Sequence, residues 1–162
     1  MNRHIESLSK TISRFSHIPD EQKILLKEMV KHQKLLKHEY FVHANDVPEK
    51  FAYINEGVFR VHCIAEDGNE KTMAFRTKGQ FIAPYTPLLY RQPVWYSIQA
   101  LSDADISYIS ISDYRRLSEN HVCWNLLEKN YIIDLFKEKE ERERSLLMDS
   151  SEVRYQNFIN NY

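Results

Sequence analysis

The chain contains only three glycines, and Gly57, Gly68 and Gly79 all stand at the borders of short β-branched and aromatic runs. Glycine in such places marks turns whose backbone angles other residues adopt at a cost. The runs are FAYINEG, GVFRVHCI, KTMAFR, WYSIQAL and ISYISI, in a zone from about Tyr40 to Ile111. AEDGNE, between the second and third runs, predicts a hairpin in which Asp67 and Gly68 supply positive φ angles. Many short strands at regular spacing confine this zone to a barrel or a sandwich.

Helical patterns flank it. From the N-terminus to about His43 the chain reads as helical. IPDEQKILLKEMVKHQ opens with Pro19-Asp20 as a cap and Glu21 in the first turn, and Ile24, Leu25, Met29 and Val30 fall near helical spacing. After Ser112, SDYRRLSEN predicts a short helix and VCWNLLEKNYIIDLFKEKEERERSLLM a long one. Apolar residues between Trp124 and Phe136 lie on more than one face of the long helix. A helix packed against one body carries one stripe. Two apolar sides predict that one meets the β zone and another a second copy of the helix, making the chain a homodimer. KEKEERER, Lys137 to Arg144, is either a solvated face or a coiled-coil end flanked by the pairs Glu138/Arg142 and Glu140/Arg144. DSSEVRYQNF starts a further helix, with Ser150 or Ser151 as cap and Glu152 in its first turn. A helix that has just begun when the chain stops at Tyr162 reads as a truncated connection.

Composition removes several functional classes. A chain of 162 residues, 43% hydrophobic and 28% charged, suits one globular domain with a real core. The 22 basic residues are offset by 23 acidic ones, so the chain carries no electrostatic footprint for nucleic acid. No apolar run reaches the roughly 18 residues of a membrane span, and MNRHIESLSK is too polar for a signal peptide. Two well-separated cysteines, Cys63 and Cys123, fit a cytoplasmic setting and are expected as buried, inert thiols. His32, His38 and His43 lack the pairing of a helical metal site, and His62 and Cys63 point to opposite faces of a strand. The sequence has no His-x-His-x-Glu run, no Gly-x-Ser-x-Gly elbow and no phosphate-cradling glycine loop. No catalytic residue, metal site or cofactor is therefore expected, and the protein is not read as an enzyme.

The order of helix, β-roll, long helix and new helix resembles the Crp/Fnr superfamily of bacterial transcription regulators. YINEGVFRVHCIAEDGNEKTMAFRTKGQF, SIQALSDADISYISISDYRRL and SSEVRYQNFI carry the resemblance, which covers nearly the whole chain. It implies an α+β, mainly β fold: a double-stranded β-helix, or jelly roll, of the cyclic-nucleotide-binding type, with N-terminal helices and a long C-terminal dimerisation helix. The expected divisions are a sensor at 1–121, the dimerisation helix at 122–148 and the start of a linker helix at 149–162. In the family that linker leads into a winged helix-turn-helix, so DNA is expected as a partner only through a C-terminal module that these residues do not include.

The resemblance also bears on GQFIAPYTPLLYRQPVWYSIQAL, Gly79 to Leu101, which has the outline of the family's phosphate-binding cassette. Cyclic-AMP-binding members use a Gly-Glu pair for the ribose and an Arg-Ser pair for the phosphate. Aligned without gaps from Gly68 to Ala100, these pairs fall on Ala83-Pro84 and Val94-Trp95. A buried phosphate needs charge-assisted donors, and Pro84 lacks even a backbone N–H. Arg91, three residues away, lies in an expected loop. The cassette reads as a scaffold that has lost its cyclic-nucleotide chemistry. Tyr85, Tyr90, Trp95 and Tyr96 either line a pocket for an unidentified small-molecule effector or fill the roll. Val61 and Met73 match pocket-wall positions of the family, and Lys139 and Glu140 match its base-contacting helix positions. Trp124, Leu127, Tyr131, Leu135 and Arg142 are the residues expected at the dimer seam. The expected function is effector sensing in a Crp/Fnr-like regulator; the alternative is a stand-alone dimeric module that binds a small molecule or a protein partner.

Overall fold

The structure, a computed structural model, describes residues 2–161. Its elements run α1 (Asn2–Ile12), α2 (Asp20–Met29), β1 (Lys31–Leu35), β2 (Tyr40–Val42), β3 (Lys50–Glu56), β4 (Val58–Ile64), β5 (Glu70–Thr77), β6 (Phe81–Ile82), α3 (Tyr85–Tyr90), β7 (Ser97–Ala100), β8 (Ala104–Ser110), α4 (Ile111–Asn120), α5 (Val122–Met148) and α6 (Ser151–Asn161). Eight antiparallel strands form two four-stranded sheets, in the orders β1-β8-β3-β6 and β2-β7-β4-β5. This is the jelly roll expected from the sequence. Tyr162, the end of the expected linker segment, lies outside the described residues.

Two apolar clusters hold the molecule together. Between the sheets, Leu35, Ile54, Phe59, Ile82, Ile98 and Ile106 are almost fully buried. On the far side of the first sheet, α1, α2, α4 and the start of α5 bury Leu8, Ile12, Ile18, Leu117 and Trp124 against Tyr53 and Ile109. β3 is therefore apolar on both faces, which explains why FAYIN reads as a continuous run rather than an alternating one. The Tyr53 hydroxyl satisfies its buried end on Ser7 and Thr11 of α1.

All three glycines have positive φ. Gly57 is the most constrained. Its φ is +104°, and a Cβ there would sit 2.6 Å from the Cβ of Ala104. The β3–β4 connection crosses the start of β8 too closely for any side chain.

Several expectations are corrected. The helical pattern does not continue to His43. α2 ends at Met29, Val30 is extended, and Lys31–Leu35 pairs with Tyr108–Ala104 of β8. Lys, Gln and Leu favour helix locally, but the free edge of β8 captures the segment as a strand. In the hairpin, Asp67 does not take a positive φ; Gly68 alone does. Gly68 N–H donates to Ala65 O and Ala65 N–H to Asn69 O, so a longer loop replaces the expected two-residue turn. The Asp67 carboxylate accepts from Asn69 N–H instead. The cassette also holds a short helix, α3, and Arg91 follows it as its C-cap, in the turn that leads to β7. On α5, neither Glu138/Arg142 nor Glu140/Arg144 forms an ion pair among the described residues; Glu138 binds Arg76 of β5 at 2.8 Å. Cys63 is partly exposed rather than buried, whereas Cys123 is buried, and burial pushes its thiol pKa up.

Candidate functional site

The β4–β5 ladder shapes the inner wall of the site. Val61 pairs with Ala74 but His62 pairs with Thr72, which leaves Met73 as an extra residue in a β-bulge. Beyond the bulge Arg76 stands opposite Phe59, whose side chain is fully buried in the roll. Cross-strand partners share a face, so Arg76 projects inward. The floor is α3 with the residues before it, and the outer wall is α5.

Between them lies a cavity of about 570 Å³. That size suits a small-molecule ligand. Of the ten residues expected to bind a ligand, Val61, Met73, Ala83, Tyr85, Trp95, Tyr96 and Lys139 line this cavity. The other three do not. Val94 is fully buried in the core, and its backbone bonds to the 45–46 loop. Pro84 is buried at the N-terminus of α3. Glu140 is exposed and lies outside the lining. Arg91 caps α3 with φ +52°, is exposed, and also stays outside the lining.

The side chains expected at a dimer seam are also redistributed. Trp124 is 2% exposed, and its indole N–H donates to Gln22 Oε1. Tyr131 packs edge-on against Phe15 and Phe81. Leu127, Tyr131, Leu135 and Arg142 line the cavity. These residues make the face of α5 that meets the chain's own roll. The outward face carries Val122, Leu126, Ile133 and Leu147, each at least 45% exposed, with the exposed Phe136 at its border with the cavity, whose lining it also joins. With Lys129, Glu140 and Glu143 they recur at alternating steps of four and three residues. That spacing is the heptad repeat, with five of the eight positions apolar. The sequence contained it, but the two apolar faces could not be told apart without the roll.

Electrostatically the site is cationic. Arg76, Lys139 and Arg142 line it, against a single carboxylate, Glu128. Glu128 is engaged on one oxygen by the Tyr85 hydroxyl and on the other by Tyr114 at 3.4 Å. Burial, reinforced by Glu128, drives the pKa of both tyrosines far up. Burial also drives the pKa of Tyr131 far up and raises that of Tyr96, and at both Arg76 opposes the shift. Every one of these hydroxyls stays protonated at neutral pH, able to orient a ligand but not to act as a base. Arg76 was not foreseen. Its signal was a lone Arg at an alternating position of a strand, and the bulge at Met73 concealed which face that position takes.

Among the described residues, no group of three or more His, Cys, Asp or Glu side chains is placed to hold a metal ion. No described helix is long and apolar enough to cross a membrane.

Residues 32–121, from β1 to the cap after α4, match the family described as the cyclic nucleotide-binding domain. Among curated protein sequences, none matches significantly. Similar solved structures include the catabolite activator protein of Thermus thermophilus, at TM-score 0.67 and 18% identity over 82% of this chain. The match spans only 60% of the Thermus protein. A cyclic nucleotide-binding domain from Methylobacillus flagellatus superposes at TM-score 0.77 with 13% identity, over 90% of this chain and 83% of its own. The sensor domain of the transcriptional regulator DNR from Pseudomonas aeruginosa matches at TM-score 0.66 and 14% identity, over 93% of this chain and 95% of its own. At these identities the likeness is one of fold.

Proposed function

Because the chain belongs to the cyclic nucleotide-binding domain family, we propose that it is the effector-sensing part of a Crp/Fnr-like transcription regulator whose cavity takes a ligand other than a cyclic nucleotide. The observation that carries this is the contrast between cassette and cavity. The cassette positions hold Ala83, Pro84, Val94 and Trp95, with no cation among them. The cavity is nonetheless open, about 570 Å³, and ringed by tyrosines and cations from other elements. In this reading 1–121 senses, 122–148 is the dimerisation helix, and 149–162 begins the connection to a DNA-binding module. Because α5 walls the cavity, a ligand that fits one placement of α5 better than another shifts the helix, and only such differential affinity can do so. The exposed heptad face of α5 supports its role in joining two copies.

Isothermal calorimetry tests the ligand side of the proposal. Cyclic AMP and cyclic GMP are expected to give no heat of binding in the micromolar range. A micromolar dissociation constant for either would return the protein to the nucleotide-binding members of its family.

A further inference from the structure

Arg76 holds unused donors in the wall of the cavity. Its side chain is only 18% exposed, inside an otherwise largely apolar chamber. Nη1 carries both of its hydrogen bonds, to Glu138 Oε1 at 2.8 Å and to Phe75 O at 3.2 Å. Nε and Nη2 make none among the described residues. A guanidinium presents its donors as a planar fork suited to two oxygens of one acid group; here one donor is used by a carboxylate that reaches in from α5 and is itself half-exposed. Lys139 and Arg142 add two further cations from the same helix. The one carboxylate in the lining, Glu128, is occupied by Tyr85 and Tyr114.

We infer that the ligand of this cavity is an organic acid with an aromatic or aliphatic body, and that its anionic head takes the place of Glu138 on Arg76. The inference rests on the reading of the cavity as an effector site and names the ligand's class. The body packs against Val61, Met73, Tyr96 and Ile132, and the head binds the fork of Arg76 with Lys139 and Arg142 near it. A neutral body of the same shape leaves Arg76 tied to Glu138 and gains only the apolar contacts. The exchange also supplies a signal. Arg76 belongs to the roll and Glu138 to α5, so an acid that displaces Glu138 removes a charged tie between sensor and helix.

The test uses the 162-residue chain and the fluorescent sulfonate 8-anilinonaphthalene-1-sulfonate, displaced in turn by 2-naphthoate and by 2-naphthylmethanol. The acid is expected to displace the dye at concentrations about tenfold or more below those of the alcohol, the effect of one charge-assisted hydrogen-bonded contact. Arg76→Met should weaken dye and naphthoate by a similar factor. Glu138→Gln, at an exposed site, should strengthen both, because it frees Arg76 without removing it. Equal displacement by acid and alcohol, or an unchanged affinity in Arg76→Met, overturns the acid-anchor inference and leaves the effector cavity standing. Ala83→Trp fills the chamber. If dye binding survives that change and neither naphthalene displaces it, the dye sits elsewhere and the cavity reading itself fails. Absence of dye binding to the unaltered chain overturns both.

Discussion

The Trp124 indole N–H donates to Gln22 Oε1 at 2.8 Å, a buried bond between the first turn of α5 and the first turn of α2. Gln22 is 5% exposed, and its Nε2 reaches Asn120 at the end of α4 at 3.5 Å. One side chain thus joins α2 before the roll and α4 after it to α5, the helix that walls the cavity. Trp124→Phe keeps most of the apolar volume but leaves Gln22 Oε1 without its donor. A buried unsatisfied acceptor costs about 1–3 kcal/mol, and urea unfolding should report a loss of that size. Combining it with Gln22→Leu should recover part of the loss, because both polar partners are then gone. A double variant no better than the sum of the two single changes would mean the bond contributes nothing.

The proposed role of the outward face of α5 predicts oligomeric state. Leu126→Glu with Ile133→Glu places charges on the outward face and should convert a dimer to a monomer with little change in thermal stability, since both residues are at least 45% exposed. Leu127→Glu with Tyr131→Glu should act differently. Those side chains pack on the chain's own core, so burying two carboxylates there should destabilise the fold by several kcal/mol. Sedimentation and thermal melts on both pairs separate the two faces. An unaltered chain that sediments as a monomer at tens of micromolar would remove the seam altogether.

Gly57 and Gly68 are expected to respond unequally to alanine. Both have positive φ, which alone costs roughly 1–2 kcal/mol. Only at Gly57 does the added methyl meet backbone, with Ala104 Cα at 2.8 Å and Asp103 O at 3.0 Å; at Gly68 nothing lies within 4 Å. Gly57→Ala should therefore lower the melting temperature well beyond Gly68→Ala. Equal shifts would show that the β3–β4 connection relaxes away from β8.

Stability should fall on mild acidification through His62. Its side chain is 4% exposed, neither ring nitrogen has a hydrogen-bond partner, and Glu70 Oε1 is 3.8 Å away. Burial first, and the Arg60 charge second, hold its pKa below the ordinary value, while Glu70 opposes them. In the unfolded chain His62 takes a proton near pH 6.5. The folded chain resists that proton until lower pH, so unfolding is favoured as pH drops from about 6.5 toward the folded pKa. Above that window the group is neutral in both states and contributes no slope. Urea midpoints between pH 7.5 and 5 should decline in the unaltered chain and flatten in His62→Gln. A parallel decline in both would place the titrating group elsewhere.

What the sequence by itself determined is local. The turns at Gly57, Gly68 and Gly79, the strands around FAYINEG and GVFRVHCI, and the whole extent of α5 follow from backbone permissiveness and period. The absence of a cation at Ala83, Pro84, Val94 and Trp95 was equally legible, because Ala, Pro and Val side chains carry no donor and Trp only a neutral indole N–H in any fold. Tertiary structure decided what depends on a partner distant in sequence. Lys31–Leu35 is a strand because β8 offers an unpaired edge, a pairing between segments some seventy residues apart that outweighs a helical preference of a few tenths of a kcal/mol per residue. Arg76 points into the cavity because the ladder with β4 slips by one residue at Met73, and in a strand a slip of one reverses every side chain beyond it. The two apolar faces of α5 are chemically alike, and only the placement of the roll assigns one of them to the cavity and leaves the other open.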